Sequence, residues 1–309
     1  MSISRRNFIR STALAGGAAW LARGASVLRA DPIGLTPGMQ LWTVREEMKS
    51  DFEGTLRKVA AIGYREVELF ETPAKPREFR KKVEDAGLKC VSGHFELFAL
   101  KDPATIDAAN QLGLSYMILV FPTLRSLQGR SVDANFNEFI PLYEKISADD
   151  YKYNAEQLNE VGANLKQHGM RAGYHNHAID FKQFGNTWGF DTMIQNTDPK
   201  LVCFEMDCGH VLHSGHDPVH YLNTYPTRIE MLHVKDLVKG FHISTTLDTE
   251  NMDTDSEIGA GSLDWTKIFA AAKRGGHLKH YFVEHEGKMA HPPLESLRIS
   301  YKYLQTLKV

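Results

Sequence analysis

Four short runs in the second half of the chain each place ionisable side chains two residues apart: Tyr174-His175-Asn176-His177, Phe204-Glu205-Met206-Asp207, Leu232-His233-Val234-Lys235-Asp236 and Val283-Glu284-His285-Glu286. Successive side chains of a strand point to opposite faces. His175 therefore shares a face with His177, Glu205 with Asp207, His233 with Lys235, and Glu284 with Glu286. The intervening Tyr174, Phe204, Met206, Leu232, Val234 and Val283 suit an apolar environment. Burying an unpaired charge costs several kcal/mol, so such groups need partners or a cation. Imidazoles and carboxylates converging from several strands are what a divalent ion takes as ligands. In a single strand the pattern would equally suit a structural salt bridge; its repetition in four runs favours a metal site.

The first half adds Gln40, Trp42, Glu66, Glu68, His94 and Glu96 as candidate substrate-facing groups. Asp207-Cys208-Gly209-His210 brings His210 close to the same site, whereas His213, His216 and His220 are expected at the surface. Asp253, Asp255 and Glu257 are spaced like a calcium loop, but Ile258 stands where that loop needs glycine, so a solvated acidic loop is expected. No serine elbow, phosphate loop, HExxH or zinc-finger spacing is present.

The elements that must position these residues follow from the pattern of short apolar runs. Strand-length runs rich in Val, Ile, Leu, Tyr and Phe fall at 38–43, 66–70, 90–95, 116–121, 171–177, 202–207, 230–236 and 280–286. Amphipathic helical segments separate them, and several end at a glycine, as at Gly63, Gly87, Gly113 and Gly169. Strict alternation implies a parallel sheet, and eight repeats imply an α/β fold of the (β/α)8 TIM-barrel type, a single domain over 31–309. An open doubly wound sheet is disfavoured, because no glycine-rich loop follows the first strand. The polar ends of the last four strands then meet at the C-terminal mouth, where barrel active sites sit. The long connections 122–147 and 237–262 fall on that side and are expected to cover a pocket.

A net charge of -2 gives no basis for binding nucleic acid. The odd set Cys90, Cys203 and Cys208 makes neither a disulfide framework nor a CxxC site and reads as buried apolar residues. Residues 1–30 read as a targeting segment. Ser4-Arg5-Arg6-Asn7-Phe8-Ile9-Arg10 is similar to twin-arginine signals, and the apolar stretch 12–22 is shorter than the roughly 20 residues a membrane span needs. Export to the periplasm is expected, with no membrane attachment after the signal is removed. Homo-oligomerisation is left open.

Together, Gly38-Met39-Gln40-Leu41-Trp42-Thr43-Val44-Arg45, Gly173-Tyr174-His175-Asn176-His177, Phe204-Glu205-Met206-Asp207-Cys208-Gly209-His210, Leu232-His233-Val234-Lys235-Asp236 and Phe282-Val283-Glu284-His285-Glu286 resemble the sugar phosphate isomerase/epimerase superfamily with the xylose-isomerase-like barrel, across 34–309. The resemblance implies one divalent ion (Mn, Mg, Co or Zn) and a small sugar-like substrate. By position Asp207, His233 and Glu284 match the family's ligands, and His175 stands where the family usually has a fourth, a glutamate. Family epimerases shuttle a proton between two metal-bound glutamates, so this departure counts against that route. Elimination beside a ketone, as in family members that dehydrate inosose or act on 3-keto-glycosides, needs one base and gains weight. The expected roles are His177, Glu284 and His210 as acid and base candidates and Lys235 as a donor to a developing oxyanion. Trp42, His94 and Glu96 are expected to hold the sugar. A metal-dependent ketose isomerase or epimerase and a non-catalytic carbohydrate-binding barrel are the alternatives; an endonuclease for abasic DNA fits neither the charge nor the export signal.

Overall fold

Eight apolar runs pair in parallel and close on themselves: β1 (Pro37–Gln40), β2 (Glu66–Leu69), β3 (Lys89–Phe95), β4 (Tyr116–Leu119), β5 (Arg171–His175), β6 (Val202–Asp207), β7 (Ile229–Val234) and β8 (His280–Val283). The computed structural model describes residues 32–127, 136–247 and 254–309. The twin-arginine segment expected at 1–30 and Asp253 of the acidic run lie outside the described residues. Each strand pairs with its neighbours in chain order, and Met39 opposite Val283 closes the ring. The expected (β/α)8 barrel is the fold.

Helices on the outside are set by local signals. Asp51 caps the helix Phe52–Ile62 by accepting from the Gly54 N–H at 2.9 Å. Gly63 ends it with φ 135°, and a Cβ there would meet the Tyr301 ring at 2.1 Å, so only glycine fits. Ser147 and Asp150 form a capping box at the start of the helix Ala148–Gln167. The main core lies between these helices and the strands. A second apolar cluster, Val91, Ile118, Cys203, Met231 and Phe282, fills the barrel interior. Gly173 leaves room for it, since a Cβ at that position would lie 2.4 Å from Ile118 Cδ1.

Several strands end sooner than the apolar pattern suggests. β1 stops at Gln40 and turns into the 3-10 segment Leu41–Val44, which carries Trp42. β5 stops at His175, because the buried Asp180 carboxylate accepts from the His177 N–H at 2.8 Å and starts another 3-10 turn. β7 and β8 end at Val234 and Val283. Lys235, Glu284 and Glu286 thus follow the strands, although the Glu284 N–H still bonds to the Val234 carbonyl at 3.3 Å. Register shifts lie at Val67/Glu68 against β3 and at Phe204/Glu205 against β7. The first lets Val91 join the interior cluster while the next residue, Ser92, donates to Glu68.

The acidic run after β7 is not solvated as expected: Asp255 and Glu257 are both buried. Asp255–Ser256 pairs antiparallel with Asp236–Leu237. Asp255 accepts from the N–H groups of Glu286 at 2.6 Å and Gly287 at 3.2 Å, and Glu257 accepts from the Ser296 hydroxyl at 2.9 Å. Asp236 organises the same connection, accepting from the N–H groups of Gly259, Ser262 and Leu263 and from Trp265 Nε1. His213 is also buried rather than at the surface, in the short helix Cys208–His213, whereas His216 is half-buried and His220 exposed as expected. The three cysteines are buried and free. Among the described residues no helix is long and apolar enough to cross a membrane.

Candidate active site

A cavity of about 300 Å³ opens at the C-terminal mouth. Trp42, Phe70, Val120, Phe121, Leu237 and Leu247 form its apolar wall, and His94, His175, His177, His210, His213, Lys235, Asp255, Glu284 and Glu286 its polar wall. The connection after β7 contributes Leu237, Thr246, Leu247, Thr254 and Asp255, so the covering role expected of it holds. Trp42 packs edge-on against Phe70 at 5.4 Å, and the Arg45 guanidinium lies 4.0 Å from its ring centre.

Asp207, His233 and Glu284 come together at the ends of β6, β7 and β8, with donor atoms within 4.8 Å of one another. Nδ1 of His233 lies 3.0 Å from Glu284 Oε2 and 3.8 Å from Asp207 Oδ2. The Asp207 carboxylate also caps the helix that follows, accepting from the His210 N–H through Oδ1, while buried Oδ2 accepts no hydrogen bond. Two carboxylates and an imidazole, one oxygen left unbonded in a buried place, fit a divalent ion. Lys235 stands among the same carboxylates, 3.1 Å from Glu284 Oε2 and 3.3 Å from Asp207 Oδ2, and donates to Glu286 at 2.5 Å. Burial opposes its charge, but Asp207, Glu284 and Glu286 outweigh this and hold the ammonium protonated. Glu286 gives that ammonium a partner of its own beside the three donors.

His175 does not join this trio directly. Its Nδ1 lies 3.1 Å from Glu205 Oε2, in a second group with His94, Glu205 and His233, and its ring centre lies 4.5 Å from that of His233. His94, expected to hold the sugar, lines the cavity but is bound beneath it, with Nε2 2.9 Å from Glu205 and 3.2 Å from Glu68. Burial works against its charge, yet Glu68 and Glu205 raise its pKa to about 10.

On the other side His177 and His210 face each other with ring centres 4.8 Å apart. His177 stacks on Phe121 at 3.9 Å, and its buried Nδ1 has no hydrogen-bond partner. Burial, and then the neighbouring His210, push its pKa well below the usual imidazole value, so it is neutral. His210 goes the opposite way. Burial lowers it and Lys235 repels its proton, but Asp207 and Glu286, the latter 3.4 Å from Nε2, raise it overall.

Three expected substrate groups lie elsewhere, and one of them, Glu68, is fully buried beneath the cavity against His233 and His94. Glu96 is exposed and outside the cavity wall, because the chain leaves β3 at Phe95 and Glu96 precedes the short helix Leu97–Lys101. Glu66 sits at the start of β2, paired with His280 at the start of β8, at the opposite end of the barrel. Phe121 and Asp255 were not expected at the site. Phe121 closes an apolar run that looks like any buried strand, and Asp255 is drawn in by backbone donors about thirty residues away.

The family model described as xylose isomerase-like TIM barrel matches residues 56–307. The chain belongs to that family. Among relatives of this family, an inosose dehydratase of Clostridium perfringens is 26% identical over 277 residues, covering 83% of this chain and 90% of its own. An inosose dehydratase of Geobacillus thermodenitrificans is 25% identical over 256 residues, covering 76% and 82%. A solved sugar phosphate isomerase/epimerase of Parabacteroides distasonis superposes with a TM-score of 0.69 at 25% identity, covering 91% of this chain and 96% of its own. With these relatives the chain is an enzyme, of the lyase or isomerase kind.

Proposed function

We propose that this enzyme is a metal-dependent lyase that removes the proton α to the carbonyl of a keto-sugar, a 3-keto-glycoside or related keto-polyol, and expels the substituent on the next carbon. The observation that carries the reading is the pair of unlike imidazoles at the cavity: neutral His177 with an unbonded Nδ1, and His210 with its pKa raised. Two neighbouring titratable groups pushed apart by their surroundings mark the base and the acid. The relatives that dehydrate inosose act by name on a keto-polyol, which supports elimination.

Asp207, His233 and Glu284 would hold the ion, with His175 offering Nε2 from the adjoining group as a fourth ligand; when bound, the ion would supply Lewis-acid polarisation of the carbonyl. His177 accepts the α-proton, and the C–H electron pair becomes the enolate π-bond. That pair then forms the carbon–carbon double bond as the leaving oxygen departs with the proton of His210. His177 then returns its proton to solvent and His210 takes one back from it, which completes the turnover. Lys235 places a fixed positive charge beside the developing oxyanion, and Glu284 is committed to His233 and Lys235 rather than to proton transfer. The Trp42 and Phe70 side takes the apolar face of the ring. The twin-arginine segment supports placing this chemistry outside the cytoplasm.

The test is metal content of the purified protein, for the wild type and Asp207→Ala, followed by incubation with keto-glycosides and inosose in D2O. About one Mn, Mg, Co or Zn per chain, lost in the variant, with release of water or aglycone, is the expected result. Interconversion of a free ketose without such loss would make it an isomerase or epimerase. Sugar binding with neither metal nor turnover would make it a binding protein.

A further inference from the structure

Beneath the cavity lies a layer of charge that the elimination chemistry leaves unused. Glu68 and Glu205 are both fully buried in the barrel interior. Three imidazoles converge on Glu205 Oε2: His94 Nε2 at 2.9 Å, His175 Nδ1 at 3.1 Å and His233 Nε2 at 3.3 Å. Glu68 Oε2 lies 2.6 Å from His233 Nε2, and its other oxygen accepts from the Ser92 hydroxyl at 2.6 Å. His233 is therefore gripped at both ends, by Glu68 through Nε2 and by the Asp207 and Glu284 side through Nδ1. His175 is gripped at one end only, through Nδ1, which leaves Nε2 for the cavity that this residue lines.

An imidazole that donates one N–H to a carboxylate has its tautomer and ring angle fixed, and its other nitrogen becomes the better ligand. The geometry points to Glu68 and Glu205 as positioning residues that hold His233 and His175 in the one tautomer able to offer the opposite nitrogen to a metal ion. His94 ties the two carboxylates together from the third side. Two carboxylates contributed by β2 and β6 thus orient ligands that sit on β5 and β7. The inference rests on the proposed metal reading of His175, Asp207, His233 and Glu284.

The test is cobalt(II) affinity of the full chain, by competition with a chromophoric chelator, together with the visible spectrum of the bound ion. Glu68→Gln and Glu205→Gln keep side-chain size but remove the charged acceptor. Each is expected to bind cobalt roughly 10–100-fold more weakly and to shift the spectrum, with Asp207→Ala losing binding altogether and Asp191→Asn, a buried carboxylate elsewhere, matching the wild type. Wild-type affinity and spectrum in both glutamine variants, with Asp207→Ala still inactive in binding, would overturn the positioning role and leave the metal site standing. A wild type that binds no cobalt would bring down the metal reading and this inference with it. Should the glutamine variants fail to fold, Ser92→Ala decides. It removes the hydroxyl that fixes Glu68 Oε1 and leaves the Gln40 amide donating to Oε2 at 2.9 Å; an unchanged affinity and spectrum would overturn the role of Glu68, while a several-fold loss supports it.

Discussion

Two levels of the same barrel interior differ in kind. At one, Val91, Ile118, Cys203, Met231 and Phe282 pack as an apolar plug. Two residues further along, on the same inward face, Cys203 gives way to Glu205, Met231 to His233 and Phe282 to Glu284. The plug is held mainly by packing, with a single weak hydrogen bond from Cys203 Sγ to the Ala172 carbonyl at 3.4 Å. The polar level is held by pairing, and it keeps unbonded buried atoms: Glu205 Oε1, Asp207 Oδ2 and His177 Nδ1. The lesson is that stability and chemistry are stacked rather than spread. The apolar layer fixes strand positions, so that the next inward residues meet at fixed distances and retain binding capacity.

The contrast can be broken from the polar side first. His177→Gln is expected to lower kcat by about three orders of magnitude, within the range for a lost general base, while metal content and thermal stability stay near wild type. A depressed pKa keeps the imidazole unprotonated as pH falls through 6.5. The wild type should therefore hold its activity across that value and lose it only at lower pH. An acid limb at 6.5 or above, or a fall in metal content with the variant, would take the base role away from His177.

From the apolar side, Ile118→Ala should cost about 2–4 kcal/mol in urea unfolding, the usual range for a buried aliphatic truncated to alanine. It empties space above Gly173, which has no side chain to fill it. If the two levels are separate in function, kcat of the folded variant stays within a few-fold of wild type. A large fall in kcat at temperatures where the variant is folded would show that the plug tunes the site as well as supporting it.

How far this division was legible in the sequence depends on what each residue leans on. The barrel and the pairs His175/His177, Glu205/Asp207, His233/Lys235 and Glu284/Glu286 follow from alternation along one strand, which is local. Glu68 was visible only as a candidate substrate-facing group, because its partner His233 lies 165 residues away. Asp255 looked solvated, because the N–H groups that bury it belong to the loop after β8. Glu96 was carried too far by the alternation that turns His94 toward the cavity, since the ladder ends between them at Phe95. Glu284 and Lys235 also lie past their strands but remain inside, because each has buried charged partners.

The smallest expected effect sharpens the comparison at the cavity itself, where an apolar wall faces the polar one. Trp42 belongs to the wall: its ring meets Phe70 edge-on at 5.4 Å and carries the Arg45 guanidinium at 4.0 Å. Arg45 also donates to the Trp42 carbonyl at 2.9 Å, a bond that survives loss of the ring, so the turn should keep its shape. Trp42→Ala then removes stacking on the sugar without moving the acid, the base or the metal donors. An interaction made equally with substrate and transition state changes KM and spares kcat. The expected result is a KM about tenfold higher, near 1.4 kcal/mol, an almost unchanged kcat, and recovery of most of the loss in Trp42→Phe. A fall in kcat at constant KM would instead mean that the aromatic wall contacts the reacting part of the sugar only as the leaving group departs, and the wall would then belong with the chemistry it faces.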